Sequence, residues 1–375
     1  MGALKVILIS PIPPPAGGIG TWAQLTLNGL KKRSDVDVNH LSTAIGWRRQ
    51  SQRGVLLRGV GGTIHAAVIT LRLLCRIVTF RPSVVHLTSS AGMGSSRDIA
   101  CLMLCRALRT RTVLHYHVSE IPKYRNAFYS AMVRLATRLA SRVFVLERRT
   151  EEFIAGCTES SKVLIFPNML DLEQIDGASA SHIPLTEDHR SSVKLVFVGH
   201  VVPAKGIEEL LVALASVDDV VLNVIGVVES GYRSQLEAQH RELIESGRVV
   251  FHGPLPRENT LQFVSASDIF ALPSRDIYEA FPFSLLEAMA LGKPTLVSRV
   301  GAMPVMIAVG EEDCCGVCVD PENAESLREG LERMIEQRSQ WPDIGKRGRQ
   351  RVERLYSLDK VVNDLCTQWR EVSQI

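Results

Sequence analysis

Short apolar runs recur along the chain at intervals that leave room for one helix between successive runs. In the first half they are Lys5 to Ile9, Val84 to Leu87, Thr112 to Tyr116, Arg142 to Leu146 and Val163 to Phe166. A second series starts afresh with Lys194 to Val198, Val220 to Ile225, Val249 to His252, Ile269 to Leu272 and Thr295 to Ser298. Runs that are apolar at successive positions are buried on both faces, and the helical patterns between them predict parallel sheets. The restart predicts two Rossmann-like α/β domains. Residues 172–192, mostly polar or small, read as the hinge between them. The expected division is 1–185 for the first domain, 186–357 for the second, and 358–375 as a closing helix able to pack back across both.

Composition supports two cores: 375 residues with 46% hydrophobic content exceed what one core needs. The most apolar long stretch, Ile64 to Phe80, is interrupted by Arg72 and Arg76, so no membrane span is expected. The N-terminal run Val6 to Ile9 is too short for a signal peptide and stops at Pro11, which predicts a first strand and a cytoplasmic chain. Eight cysteines scattered from Cys75 to Cys366 suit that reducing location. Cys314, Cys315 and Cys318 resemble half a zinc site with no matching pair, so they read as packing and no metal is expected.

Charge is unevenly divided. Residues 1–185 carry 23 Lys+Arg against 11 Asp+Glu, and the remainder 20 against 29, within a net charge of +3. The basic half favours an anionic partner. Arg48, Arg49, Arg53 and Arg58 surround Trp47 ahead of the Arg-dotted apolar helix, a combination suited to an anionic membrane surface on the inner face of the cell membrane. Nucleic acid is not expected, because stacking aromatics do not interleave with the basic residues.

The densest chemistry lies at residues 278–294, YEAFPFSLLEAMALGKP. Glu279 falls in a loop and Glu287 in a helix starting near Pro282, behind which the amides of Phe283, Ser284 and Leu285 have no intrahelical acceptor. Amides that hold phosphate beside acids that bind hydroxyls suit a sugar nucleotide. Four further segments sit at predicted strand ends, where open α/β sheets bind ligands. PPPAGGIG, with Gly17, Gly18 and Gly20, permits close backbone approach to a ligand before a helix that Thr21 could cap, though its glycine spacing is wrong for a dinucleotide fingerprint. VGHVVPAKG presents Lys205, which could neutralise charge on a leaving diphosphate. HYH places His115 and His117 on one strand face, with His117 nearer the loop and able to exchange protons near neutral pH. In FPNMLD, Asn168 reads as a turn residue.

Together, GGIG, HYH, FPNMLD, GHVVPAKG, FHGPLP, ALPS and EAFPFSLLEAMALGKP resemble the retaining glycosyltransferases of family 4, or group 1, over nearly the whole chain. The resemblance implies a GT-B fold, with two Rossmann-like domains whose parallel sheets face each other across a cleft. It implies a donor NDP-sugar held mainly by the second domain, an acceptor held by the first, and no metal or cofactor. On matching positions, Lys205 would bind the diphosphate, Glu279 the transferred sugar and Glu287 the ribose. The segment Phe281, Pro282, Phe283, Ser284 and Leu285 would hold phosphate and sugar through its backbone N–H groups after Pro282. His117 would lie near the anomeric carbon, Gly17 and Gly18 would approach the phosphates, and the segment with Gly253, Pro254 and Leu255 would lie along the base. Two positions depart from the family pattern: His200 replaces the usual arginine, and Val305 replaces the usual glutamate. The expected activity is retaining transfer of a sugar to a hydroxyl of a glycan or lipid-linked acceptor, as in cell-surface polysaccharide or glycolipid synthesis. Sugar-nucleotide epimerisation or hydrolysis, and a non-catalytic binding role, are the alternatives.

Overall fold

The computed structural model describes residues 2–14, 17–44, 55–119, 127–179, 192–275 and 279–375, without the side chains of residues 55–61, 93 and 179. The chain divides into two compact units, Met1–Met169 with Leu358–Ile375, and Leu170–Ser357.

The first unit runs β1 (Leu4–Ser10), α1 (Gly18–Lys31), β2 (Val36–Ser42), α2 (Val55–Phe80), β3 (Val84–Ser89), α3 (Ser95–Ala107), β4 (Arg111–Tyr116), α4 (Ala127–Leu139), β5 (Arg142–Val145), α5 (Arg148–Ala155) and β6 (Val163–Ile165). Its six strands form one sheet in the order β2-β1-β3-β4-β5-β6, parallel throughout. Strand alternation sorts the two faces. Ile7, Ile9, Val85, Leu87, Leu114 and Tyr116 share a core with residues of α2, α3 and α4. The intervening residues His86 and His115 point to the other side, where Trp22 of α1 packs on both rings.

The second unit continues with α6 (Leu172–Ser179), β7 (Val193–Val198), α7 (Ile207–Ala215), β8 (Val220–Ile225), α8 (Tyr232–Gln239), α9 (Arg241–Glu245), β9 (Val249–Gly253), α10 (Arg257–Ala266) and β10 (Ile269–Leu272). It closes with α11 (Phe283–Ala290), β11 (Thr295–Ser298), α12 (Met303–Met306), β12 (Gly316–Val319), α13 (Ala324–Glu336) and α14 (Trp341–Leu355). This sheet is also parallel and six-stranded, in the order β12-β11-β10-β7-β8-β9. Numbered within the unit, that is the 3-2-1-4-5-6 order of dinucleotide-binding sheets.

The last helix, α15 (Leu358–Gln374), returns to the first unit. It packs on α1, where a Cβ on Gly29 would stand 2.9 Å from Val362 Cγ2. Its Trp369 is fully buried and donates from Nε1 to His86 Nδ1 at 2.9 Å.

Three expectations need correction. The first concerns α1, which starts at Gly18 with Gly17 as its cap, so Thr21 lies inside the first turn and its amide donates to Gly17 O at 2.9 Å. The second concerns a membrane span: Gly62–Phe80 is long and apolar enough to cross one by length and composition, despite Arg72 and Arg76. In the fold that helix buries Ile69, Leu73 and Ile77 against the first sheet, while Arg76 donates to Asn39 Oδ1 at 2.6 Å and so ties it to β2. The third concerns His117: proton exchange near neutral pH was expected, but burial lowers its ring pKa to about 3, so the imidazole there is neutral. Trp47, Arg48, Arg49 and Arg53 lie outside the described residues, as does the side chain of Arg58.

Candidate functional site

In a sheet of this order the ligand crevice opens at the strand C-termini where the winding reverses, here between β7 and β10. Lys205 ends the single 3₁₀ turn Pro203–Lys205 that follows β7, and Glu279 lies in the connection after β10. The two meet: Lys205 Nζ is paired with Glu279 Oε2, with side chains 23% and 11% exposed. Ser274 Oγ donates to the same carboxylate oxygen at 2.9 Å. A lysine and a carboxylate that are 74 positions apart in sequence thus form one polar cluster.

Glycines make that meeting possible. Gly206 has φ +70°, and a Cβ there would sit 2.0 Å from Pro273 O, so the loop after β7 lies directly against the end of β10. The Arg275 amide donates to Ala204 O at 2.9 Å, and its guanidinium pairs with Glu209 and with Glu208. On the other side, Gly301 has φ +54°, and a Cβ there would sit 1.8 Å from Glu279 O. The next amide, Ala302 N, donates to Ala280 O at 2.9 Å. The backbone of Glu279 is therefore held from the β11–α12 turn, and any side chain at Gly301 would displace it.

Helix α11 begins at Phe283, with Pro282 as its N-cap in an extended conformation (φ −71°, ψ 129°). The first intrahelical bond recorded at this end runs from Leu286 N to Pro282 O at 3.3 Å. The amides of Phe283, Ser284 and Leu285 precede it and by helix geometry have no acceptor within the helix. The N-cap residue Pro282 supplies no side-chain cap, and Phe283 and Ser284 are partly accessible. Glu287 follows on the second turn. Arg257, at the start of α10, donates to Glu287 Oε1 through Nε at 3.0 Å and Nη2 at 2.9 Å, and to Gln174 Oε1 at 3.1 Å. Burial raises the Glu287 pKa, and the Arg257 charge opposes that rise. Both of these guanidinium bonds to Glu287 land on Oε1.

The remaining strand ends form a backbone-lined rim. A Cβ on Gly226, whose φ is +145°, would stand 1.8 Å from Gly199 O. Gly226 N donates to Gly253 O at 2.9 Å, and Gly199 N to Ile225 O at 3.0 Å. Gly253 itself has φ +70° with open space where a Cβ would be, while Pro254 is exposed and Leu255 half-buried. His252 Nε2 bonds Asn223 Oδ1 at 2.8 Å, and burial lowers its pKa. His200 is exposed beside this rim, and Val305 is 61% exposed on α12.

In the first unit, His117 follows β4, with its amide donating to Ser89 O at 2.8 Å. Its ring lies 4.0 Å from that of His115 and 5.1 Å from that of Trp22, centroid to centroid, and its buried Nε2 has no partner among the described residues. Gly17 and Gly18 open α1, which carries Trp22 one turn further on.

The structure thus joins Lys205 to Glu279 and places Glu287 on the helix whose amides open toward Pro282. It adds Arg257, Ser274, Gly226 and Gly301, which motif reading did not assign. Arg257 and Ser274 directly follow or end the FHGPLP and ALPS segments, so their position was a usable signal. The glycines had none, because only the fold reveals which loops touch.

Residues 187–351 match the family model described as glycosyl transferases group 1. Among curated proteins, the MMP alpha-(1->4)-mannosyltransferase of Mycolicibacterium hassiacum is 31% identical over 164 residues, 43% of this chain and 38% of that protein. The matched regions span 30% to 44% of the length of the first curated relatives. Among solved structures, sucrose-phosphate synthase from Thermosynechococcus elongatus aligns over 98% of this chain and 99% of its own, with TM-score 0.77 and 19% identity. Anabaena HepE in complex with UDP-glucose aligns over 98% and 100%, with TM-score 0.69 and 14% identity. The fold is GT-B, and the domain that holds residues 187–351 is similar to the group 1 glycosyl transferases.

Proposed function

On the premise of that domain and fold, we propose that the protein is a retaining, metal-independent glycosyltransferase, moving a sugar from an NDP-sugar to a hydroxyl of a glycan or lipid-linked acceptor at the inner face of the cell membrane. The observation that carries this reading is the pairing of Lys205 with Glu279 at the sheet's switch point, next in sequence to a helix start with open amides. The elements divide the substrate by chemistry. The amides of Phe283, Ser284 and Leu285 and the Lys205 ammonium suit the diphosphate. The Glu279 carboxylate, anchored by Ser274, suits sugar hydroxyls, and Glu287 suits the ribose diol. As the glycosidic bond to phosphate breaks, negative charge grows on the leaving diphosphate, and Lys205 and the helix amides stabilise it. His117, held neutral by burial, serves as a hydrogen-bonding group rather than as an acid. Retention follows if the acceptor hydroxyl attacks from the face that the diphosphate leaves.

Screening NDP-sugars for thermal stabilisation tests the donor assignment, with UDP-sugars first because the HepE structure holds UDP-glucose. A clear rise in melting temperature with one of them is the expected result; no rise with any would overturn the reading. Hydrolysis of that donor without an acceptor, undiminished when acceptors are supplied, would point to a hydrolase instead.

The ribose assignment has its own test. Glu287→Ala is expected to weaken free nucleoside diphosphate by about 1.5 to 3 kcal/mol, the range for a charged hydrogen bond. Because the truncation also frees Arg257, Glu287→Gln is the cleaner comparison, and its loss should be smaller but in the same direction. Titration calorimetry reads both, and unchanged affinity in both variants would remove Glu287 from the ribose.

A further inference from the structure

Helices α2, α3 and α4 form one layer over the first sheet, with α3 in contact with both of the others. Their inward faces supply the core, as expected. Their outward faces are apolar too. On α2, Ile64, Val68, Leu71 and Val78 recur at helical spacing on the solvent side, with Leu71 63% and Val78 62% exposed. Met103 of α3 and Phe128 and Leu135 of α4 are exposed as well, Phe128 to 66%. Scattered exposed leucines are ordinary, but aligned ones on three neighbouring helices are not.

The polar residues between them have one sign. Arg72 on α2, Arg106 on α3, and Arg134 and Arg138 on α4 are exposed. Within the described residues of these helices the lone carboxylate is Asp98, which is 1% exposed and bonded to Arg97 and Ser89. Here arginine meets no outward-facing acid. A face that is apolar and cationic complements a surface that is apolar below and anionic above, which is the interface of a bilayer with acidic headgroups. It does not complement itself, because two copies brought together on this face would oppose arginine with arginine.

The geometry points to the outer face of α2, α3 and α4 as a docking surface for anionic lipid bilayers, with the arginines at headgroup level and the Leu71–Val78 stripe entering the layer beneath. This surface shares α2 with the membrane-facing combination read from the sequence and adds α3 and α4 to it, and it does not depend on the transfer reaction.

Flotation of the full-length protein with vesicles tests it. The lipids are neutral phosphatidylcholine alone, and the same lipid mixed with phosphatidylglycerol. Wild type should float with the mixed vesicles, lose that binding as salt is raised, and not float with neutral ones. Arg72→Glu/Arg106→Glu/Arg134→Glu should bind at least about a hundredfold more weakly, taking each arginine at about fivefold. Leu71→Gln/Val78→Gln should also bind more weakly, by about tenfold or more. All five substituted side chains are exposed, and unchanged melting temperatures verify that the variants are folded. The proposal is overturned if wild type fails to float with anionic vesicles, floats equally with neutral ones, or is matched by both variants. It is equally overturned if light scattering shows a dimer that Leu71→Gln/Val78→Gln dissolves, since a second copy would then own the face.

Discussion

Lys205→Ala is expected to lower the turnover of glycosyl transfer about 10²- to 10³-fold, the usual effect of removing one group aimed at a developing negative charge. The structure sharpens this expectation. Lys205 is paired with Glu279, so the protein's own carboxylate sets the position of the ammonium. The pairing also sets a competition, because a diphosphate must draw the ammonium partly away from the carboxylate. Glu279→Gln removes that competitor while keeping an acceptor for Ser274. Free nucleoside diphosphate should therefore bind Glu279→Gln as tightly as wild type or more tightly, even though turnover falls. Steady-state rates and calorimetry on the three proteins separate these outcomes. Turnover in Lys205→Ala within a few-fold of wild type, with the protein folded, would show that Lys205 does not meet the leaving group.

Much of the fold was legible because parallel strands buried on both faces leave uninterrupted apolar runs. Val220–Ile225, Ile269–Leu272 and Thr295–Ser298 fall where the runs predict them. The two strands that pattern reading missed are both at sheet edges, β2 and β12. An edge strand is covered less completely, so VDVNHLS can alternate polar with apolar residues, and four-residue GVCV hides among cysteines that read as packing. At the site, Lys205 and Glu279 were legible as candidates because each lies beyond the end of a strand, where open α/β sheets bind ligands, and Glu287 because it follows a helix start with open amides. What sequence could not show was contact between loops. Gly206 against Pro273, Gly226 against Gly199 and Gly301 against Glu279 are backbone approaches that any Cβ would prevent, yet each looks like an ordinary turn glycine in the chain. Departures such as Val305 were visible as letters, but its 61% exposure on α12 required the fold.

Mild acid should destabilise the first unit strongly, and the C-terminal helix should be the first element released. His86 and His115 are fully buried, and His117 lies against them. Burial lowers the pKa of His86 and of His117 to about 3, and that of His115 well below its ordinary value, with the charge of His117 opposing protonation of the other two. The unfolded chain takes up these protons near pH 6.5, so it binds more protons than the folded chain between that pH and about 3. Stability from this source is complete above pH 6.5 and is lost as pH falls below it. For His86 alone the loss reaches about 2 kcal/mol by pH 5, at 1.36 kcal/mol per pH unit, and His115 adds in the same direction. The tautomer explains why α15 leaves first. Indole Nε1 can only donate, so in the Trp369–His86 bond the imidazole Nδ1 must accept, which requires a neutral ring with its proton on Nε2. Protonating Nδ1 destroys that acceptor and sets a cation against the buried indole that docks α15 on the sheet. Chemical denaturation between pH 7.5 and 5 should show the loss of stability, and hydrogen exchange at pH 5.5 should show the amides of Leu365 to Val372 opening ahead of those in β1 and β3. Imidazole proton resonances that titrate near pH 6.5 while denaturation midpoints stay constant would mean that the three rings reach water, and that the cluster is no part of what holds the helix in place.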